Sequence, residues 1–217
     1  MLASLPADDR RFVAERARRM TFTLGEVLHR TGDVARHAFF VESGVASVIK
    51  VDEAGRKTEI CLLGPEGFFG GGIIVGNHRH PFDVYSQANP LTVIALPAAD
   101  LRELVALSQV ADDLLSTAIY TQYLQVADNL VSAVWQPVVA RLARWLMMYR
   151  ERIRSDRLEV THAFMAIMVG AQRSKVTSAL HELEAQGAIA ASRGLVQVRD
   201  VELLRAAAYQ GLGTTDH

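Results

Sequence analysis

Residues 161–189 constrain this chain more than any other stretch. Thr161 is suited to cap a helix that begins at residue 162, because its hydroxyl can accept from an amide of the first turn. Ala166 is small where two helices must cross closely, and Gly170 supplies the left-handed conformation of a tight turn. A second helix over about 172–186 turns Val176, Ala179, Leu180 and Leu183 to one side and leaves Gln172, Arg173, Lys175, Thr177 and Ser178 on the other. A hairpin follows, with strands 189–191 and 195–198 around Ser192-Arg193-Gly194. Helix, turn, helix and hairpin in this order predict a winged helix-turn-helix, whose second helix is narrow enough for the major groove of duplex DNA.

Arg173 is the expected base reader, since a guanidinium donates two parallel hydrogen bonds to guanine O6 and N7. Lys175 is assigned to phosphate or base, Gln172, Thr177 and Ser178 to shorter polar contacts, and Thr161 and Arg193 to the DNA backbone. For two isolated basic residues a solvated helix face is the simpler account, and it is the ordered set of elements that favours DNA. The formal net charge of −1 agrees once it is divided. Residues 137–212 hold 11 Lys/Arg against 7 Asp/Glu, a balance of +4, and the remainder holds 12 against 17, a balance of −5. Only the surface that meets phosphate needs the positive share.

Upstream the texture is different. Residues 6–19 carry a short helical pattern. From 21 to 96, short apolar runs at 22–24, 27–29, 39–41, 45–51, 58–63, 82–88 and 91–96 are separated by glycine-bearing turns and by Asn89-Pro90, which predicts a small β-barrel or sandwich. Helices are expected at 98–106 and 108–135. On the long one, Val110, Leu114, Thr117, Thr121, Leu124, Val131 and Trp135 form one near-heptad line, and Leu115, Ile119, Tyr123, Val126, Leu130 and Val134 a second. Two apolar faces require two things to bury against: the chain's own barrel and either more of the same subunit or the matching helix of a second copy. Pro137 breaks the pattern, and Trp135-Gln136-Pro137 reads as a hinge. A helix to about 152, a polar connection through Ser155-Asp156, a last helix near 200–209 and a frayed tail from 211 complete the layout.

Several function classes fall away. One cysteine, Cys61, excludes an internal disulfide framework and reads as a small core residue on a strand. No apolar run approaches the roughly 20 residues of a membrane span, and the N-terminus lacks a signal-peptide pattern, so a cytoplasmic protein with no membrane partner is expected. No nucleophile–base arrangement, phosphate-binding loop or dinucleotide motif occurs. No catalytic residue, metal ligand or cofactor is therefore assigned.

The run Gly170-Ala171-Gln172-Arg173-Ser174-Lys175-Val176-Thr177, followed by Leu180, Leu183, Gly187, Ile189 and Arg193-Gly194, resembles the family of cyclic-AMP receptor protein and the fumarate–nitrate reductase regulator. Arg141-Leu142-Ala143-Arg144-Trp145-Leu146 is similar to the helix that opens that family's DNA-binding domain. Gly25-Glu26, Gly32-Asp33, Phe40-Val41-Glu42-Ser43-Gly44 and Phe68-Phe69-Gly70 resemble its sensor barrel. The resemblance implies an α+β chain with a cyclic-nucleotide-binding-like jelly-roll barrel (1–107), a long dimerisation helix (108–136) and a winged helix-turn-helix domain (137–210). It further implies a homodimeric transcription regulator of a pseudo-palindromic operator, with RNA polymerase as a partner and an effector acting through the barrel.

The chain departs from that pattern in two places. Ser174 and Ser178 stand where the family's familiar reading helix carries a glutamate and a second arginine, so a different operator is expected. In the barrel, Gly71 replaces the ribose-binding glutamate, Phe82-Asp83 falls where an Arg-Ser pair meets phosphate, and Val126 and Ala127 stand where hydroxyls meet the base. Cyclic AMP is not expected to bind unless Arg79 takes the phosphate. A pocket for another small molecule would use Gly70, Gly71, Gly72, Phe82, Tyr85 and Val126, although three glycines equally make a tight loop. From a different class, His78-Arg79-His80 with Asp83 resembles the metal-binding element of cupin barrels, but the second cupin motif is missing.

Overall fold

The computed structural model describes residues 1–210; the tail from 211, expected to fray, lies outside the described residues. The chain forms two compact units, residues 1–51 with 60–126, and residues 52–59 with 127 onward. No helix among the described residues is long and apolar enough to cross a membrane.

In the first unit, helix α1 (Ala7–Arg16) leads into strands β1 (Arg18–Phe22), β2 (Val27–His29), β3 (His37–Ser43), β4 (Ala46–Val51), β5 (Lys57–Leu63, whose first three residues belong to the second unit), β6 (Phe68–Phe69), β7 (Asp83–Ser86) and β8 (Leu91–Pro97). Two four-stranded sheets result, ordered β1-β8-β3-β6 and β2-β7-β4-β5, in the two-sheet arrangement of a jelly roll. Helix α2 (Ala98–Leu107) and the first part of α3 (Gln109–Trp135) close the unit.

The period of two along β3 builds two cores from one strand. Phe39 and Val41 point between the sheets, where they join Val48, Cys61, Phe69, Val84 and Val93. Ala38 and Phe40 point the other way, into a cluster with Val13 of α1, Leu101 and Leu104 of α2, and Ala111 and Leu115 of α3. Each core is sealed by a stacked phenylalanine pair, Phe39 on Phe69 at 5.0 Å and Phe40 on Phe68 at 5.4 Å.

The start of the barrel differs from expectation. The helix ends at Arg16, and residues 18–22 form a strand where helix to 19 and strand at 22–24 were predicted. β1 is an edge strand, and only Phe22 of its five residues is buried. Its pairing partner β8 and the Arg19–Glu42 ion pair at 2.6 Å hold it in place, so it carries charge on its open face instead of an apolar alternation.

The second unit contains the end of α3, then α4 (Val138–Ile153), β9 (Arg157–Glu159), α5 (His162–Met168), α6 (Arg173–Ala185), β10 (Ile189–Ser192), β11 (Leu195–Val198) and α7 (Val201–Ala208). α4 is amphipathic and buries Leu142, Ala143, Trp145 and Leu146 against α6 and α7. Trp145 spends its indole N–H on Glu59 Oε1 at 2.8 Å, which satisfies a buried carboxylate of the 52–59 segment. The three-stranded sheet β10-β11-β9 contains a strand not predicted from sequence, since β9 has only Leu158 buried.

Gln136 lies in the break between α3 and α4, where the hinge was expected, and it is buried: Ser132 Oγ donates to its Oε1 at 2.5 Å, and its Nε2 donates to the Ala208 carbonyl at 2.8 Å. The amide thus ties the end of α3 to the end of α7.

Candidate nucleic-acid interface and effector cavity

The helix-turn-helix is built as its residue types require. Thr161 accepts from Phe164 N at 3.2 Å and caps α5. Gly170 has φ +59° in the turn, where the Ala171 amide returns to the Ala166 carbonyl at 3.0 Å. Val176, Ala179, Leu180 and Leu183 bury one side of α6. At 100° per residue the centre of the opposite side falls on Ser174, Ser178 and His181, with Arg173 and Thr177 toward the hairpin and Lys175 toward the far edge.

Gln172, Arg173, Lys175 and Ser178 are exposed, as is Arg193 in the β10–β11 turn. An open groove of about 650 Å³ brings Thr161, Arg173 and Arg193 together, and His162 and His181 line it too. Neither histidine was assigned from sequence. Thr177 is less available than expected. Its hydroxyl donates to the Arg173 carbonyl at 3.1 Å, so the 3.0 Å contact with His162 is a donation from imidazole Nδ1–H to Thr177 Oγ1. Ser178 likewise gives its proton back along the helix, to the Ser174 carbonyl at 3.2 Å, and keeps its lone pairs outward.

Between the barrel and α3 lies a partly open cavity of about 390 Å³, whose lining includes Gly70, Gly71, Gly72, Phe82 and Val126 of the residues expected there. Tyr85 is not part of that lining, which corrects the expectation. Its ring is buried in the sheet, and its hydroxyl donates to Asp83 Oδ2 at 3.1 Å. The glycines have packing reasons. Gly70 has φ +97°, and its Cα carries no substituent where one would press on Ala38 at 3.0 Å. A Cβ at Gly71 would sit 3.1 Å from the Ile119 side chain of α3.

Two histidines of the lining were missed by sequence reading as a pair. His29 from β2 and His80 from the loop before β7 stack with centroids 3.6 Å apart and planes 11° from parallel. His29 is buried, and neither ring nitrogen has a hydrogen-bond partner of good geometry. Burial, then the neighbouring His80, pushes its pKa down to about 4, against the opposing pull of the nearby Phe82 carbonyl, Asp33 and Asp83. Burial lowers His80 as well. Asp83 remains below the usual carboxylate range: burial pushes it up, but the Thr31 amide at 2.7 Å, Tyr85 and Arg30 outweigh that. Among the described residues no group of three or more His, Cys, Asp or Glu is arranged to hold a metal ion, so the His78, His80 and Asp83 element does not assemble as a cluster.

A cyclic nucleotide-binding domain model matches residues 19–108, and a Crp-like helix-turn-helix domain model matches residues 140–207. The chain belongs to the Crp/Fnr family.

Its Crp/Fnr relatives include the cyclic AMP receptor protein of Thermus thermophilus, 24% identical over 193 residues that make up 88% of each chain. A transcriptional regulator of the CRP family from the same organism superposes with a TM-score of 0.76 at 20% identity, covering 89% of this chain and 98% of the other. The c-di-GMP responsive global regulator CLP of Xanthomonas campestris gives 0.74 at 18% identity, covering 90% and 100%. These likenesses fix the fold, and the two domain models fix its class: a Crp/Fnr-type transcriptional regulator with a DNA-binding winged helix.

Proposed function

We propose that the chain acts as a homodimer on a pseudo-palindromic DNA site, each protomer placing α6 in a major groove with the β10–β11 turn against the flanking backbone. The observation that carries this reading is the convergence of Thr161, Arg173 and Arg193 on one open groove beside the outward side of α6. Arg173, the first residue of α6, reads a guanine, Ser178 and Gln172 give shorter polar contacts, and Lys175 meets phosphate. Thr177 positions α6 through His162. Along α3, Tyr120, Tyr123, Leu124, Leu130, Val131 and Val134 are exposed, which supports a seam with the same helix of a second copy. Two heads joined in this way reach half-sites about 34 Å apart. RNA polymerase is the further partner of such a regulator.

The barrel cavity is the effector site, and its effector is not cyclic AMP. Gly71 has no side chain to offer a ribose, and a Cβ there would already press on the Ile119 side chain at 3.1 Å. Phe82 and Val126 offer no cation for phosphate and no hydroxyl for a base. Arg79 lines the cavity, but it is exposed, and one N–H of its guanidinium is held by the Gly32 carbonyl at 2.6 Å. An effector that prefers one of two states of the protein then shifts DNA affinity.

Selection of bound DNA from a random pool tests the reading. The selected site should be a pseudo-palindrome, and Arg173→Ala should lose about 1–3 kcal/mol of specific binding and relax one base pair of each half-site. Unchanged affinity and unchanged preference in that variant would refute it.

A further inference from the structure

The cavity wall carries a clue to what it takes. Most of the lining is apolar, with Phe69, Ile73, Phe82, Val84, Ile119 and Val126 supplying the bulk. Against this background stand one guanidinium, Arg79, the two stacked imidazoles, and no carboxylate at all among the lining residues. A low-dielectric chamber whose only ionisable nitrogen groups are basic rejects cations and admits an anion with an apolar body.

His29 strengthens the case independently of charge. It lines the cavity and is 92% buried, since 8% of its surface remains exposed, and neither ring nitrogen has a hydrogen-bond partner of good geometry, the Phe82 carbonyl being close by. A buried imidazole left without a partner is costly unless something answers it. No side chain within the barrel does, because the ring is clamped by His80 on one face and by Phe69 and Phe39 at its sides.

We propose that the barrel cavity takes a small amphipathic acid, its apolar body against Phe69, Ile119 and Val126 and its anionic head on the stacked His29–His80 pair. This rests on the reading of the cavity as an effector site and names the chemistry of the effector. Arg79 is exposed and bound to Gly32, so it steers the acid at the mouth and does not neutralise it inside. The head therefore meets imidazoles that are neutral in the empty protein. A carboxylate placed on them favours the imidazolium, and the pair takes up a proton from solvent as the acid binds. The groups around the pair permit this: Asp33 favours protonation of both rings and Asp83 that of His29, while the Thr31 amide, Tyr85 and Arg30 at 3.8 Å hold Asp83 ionised. The remaining titratable side chains of the lining are Cys61 and Tyr123, and a thiol or a phenol ordinarily brings no charge near pH 7.

Calorimetric titration of the full-length chain with benzoate, phenylacetate, indole-3-acetate and octanoate, each beside its neutral amide, tests the proposal. Each titration is run at pH 7 in phosphate and in Tris, which differ in heat of ionisation. At least one acid should bind more tightly than its amide by about tenfold or more, the worth of a hydrogen bond to a charged group. Its apparent enthalpy should shift between buffers by an amount corresponding to the uptake of about one proton. His29→Gln should remove the buffer dependence, and the wild-type acid–amide comparison stands even if that variant folds poorly. Failure of every acid to bind below about 1 mM, equal binding of acids and amides, or heats independent of buffer would each overturn it. DNA affinity measured alongside separates the two layers. An acid that binds with proton uptake but leaves DNA affinity unchanged upholds the ligand class and removes the effector reading. A cyclic nucleotide that changes DNA affinity while no acid binds does the reverse.

Discussion

His162 of α5 donates to Thr177 of α6 across 3.0 Å, a side-chain hydrogen bond between the two helices of the DNA-binding motif. Because Thr177 has already given its proton to the Arg173 carbonyl, the imidazole is the donor, and the chain Nδ1–H to Oγ1–H to carbonyl ends at the base-reading residue. His162→Ala should cost about 1 kcal/mol of stability. It should weaken specific DNA binding more than nonspecific binding, because the crossing of the helices loosens. Urea midpoints and fluorescence anisotropy on specific and scrambled duplexes measure the two effects, and an equal loss on both duplexes would count against the linkage.

The exposed stripe of α3 predicts an assembly defect. Leu130 and Val134 are 66% and 60% exposed in the isolated chain, values at odds with a long apolar helix that has no partner. Leu130→Glu combined with Val134→Lys should leave each protomer folded and shift sedimentation equilibrium to the monomer. Affinity for a palindromic site should then fall toward that of a half-site. A variant that remains dimeric places the interface elsewhere.

Gly71 is expected to be intolerant for steric reasons. Gly71→Val should press on Ile119 and Phe68 and cost about 1–3 kcal/mol, read as a lowered urea midpoint with unchanged slope. Cyclic AMP should leave the melting temperature of the wild-type chain unmoved, and a ligand-dependent rise would show that the cavity accommodates it after all.

Acid should destabilise the barrel through His29. The folded pKa of about 4 lies below the ordinary value of 6.5, so the unfolded chain binds the proton first. Stability is complete above pH 6.5 and is lost as pH falls toward 4, by at most about 3 kcal/mol for a shift of this size. His80 acts in the same direction. Between about pH 7 and 4 the melting temperature of the wild type should fall more steeply than that of His29→Gln, and parallel curves would argue that the imidazole is solvated.

Much of the second unit was legible because its signals are local. A cap at Thr161, a left-handed glycine at 170 and a four-residue apolar rhythm from Val176 to Leu183 suffice to place α5 and α6. The strands that escaped are those with too little apolar pattern to register: β1 with four exposed residues of five, β6 with two residues, β9 with three. The candidate site divides in the same manner. Arg173 and Arg193 announce themselves by position in a motif, whereas the meeting of His29 with His80 depends on how β2 and the loop before β7 come together, and no spacing encodes it. Tyr85 was misplaced because alternation along β7 does not reveal which sheet face holds the cavity.

β6 spans only Phe68 and Phe69, yet it touches both sides of the first unit. Phe69 forms part of the cavity wall beside His29, while the carbonyl of Phe68 accepts from Gln122 Nε2 of α3 at 2.8 Å. A planar peptide joins the two, with no intervening residue to absorb a rotation. A molecule that displaces the β6 backbone beside the cavity, and not merely the Phe69 ring, would therefore also displace the hydrogen bond that fastens α3.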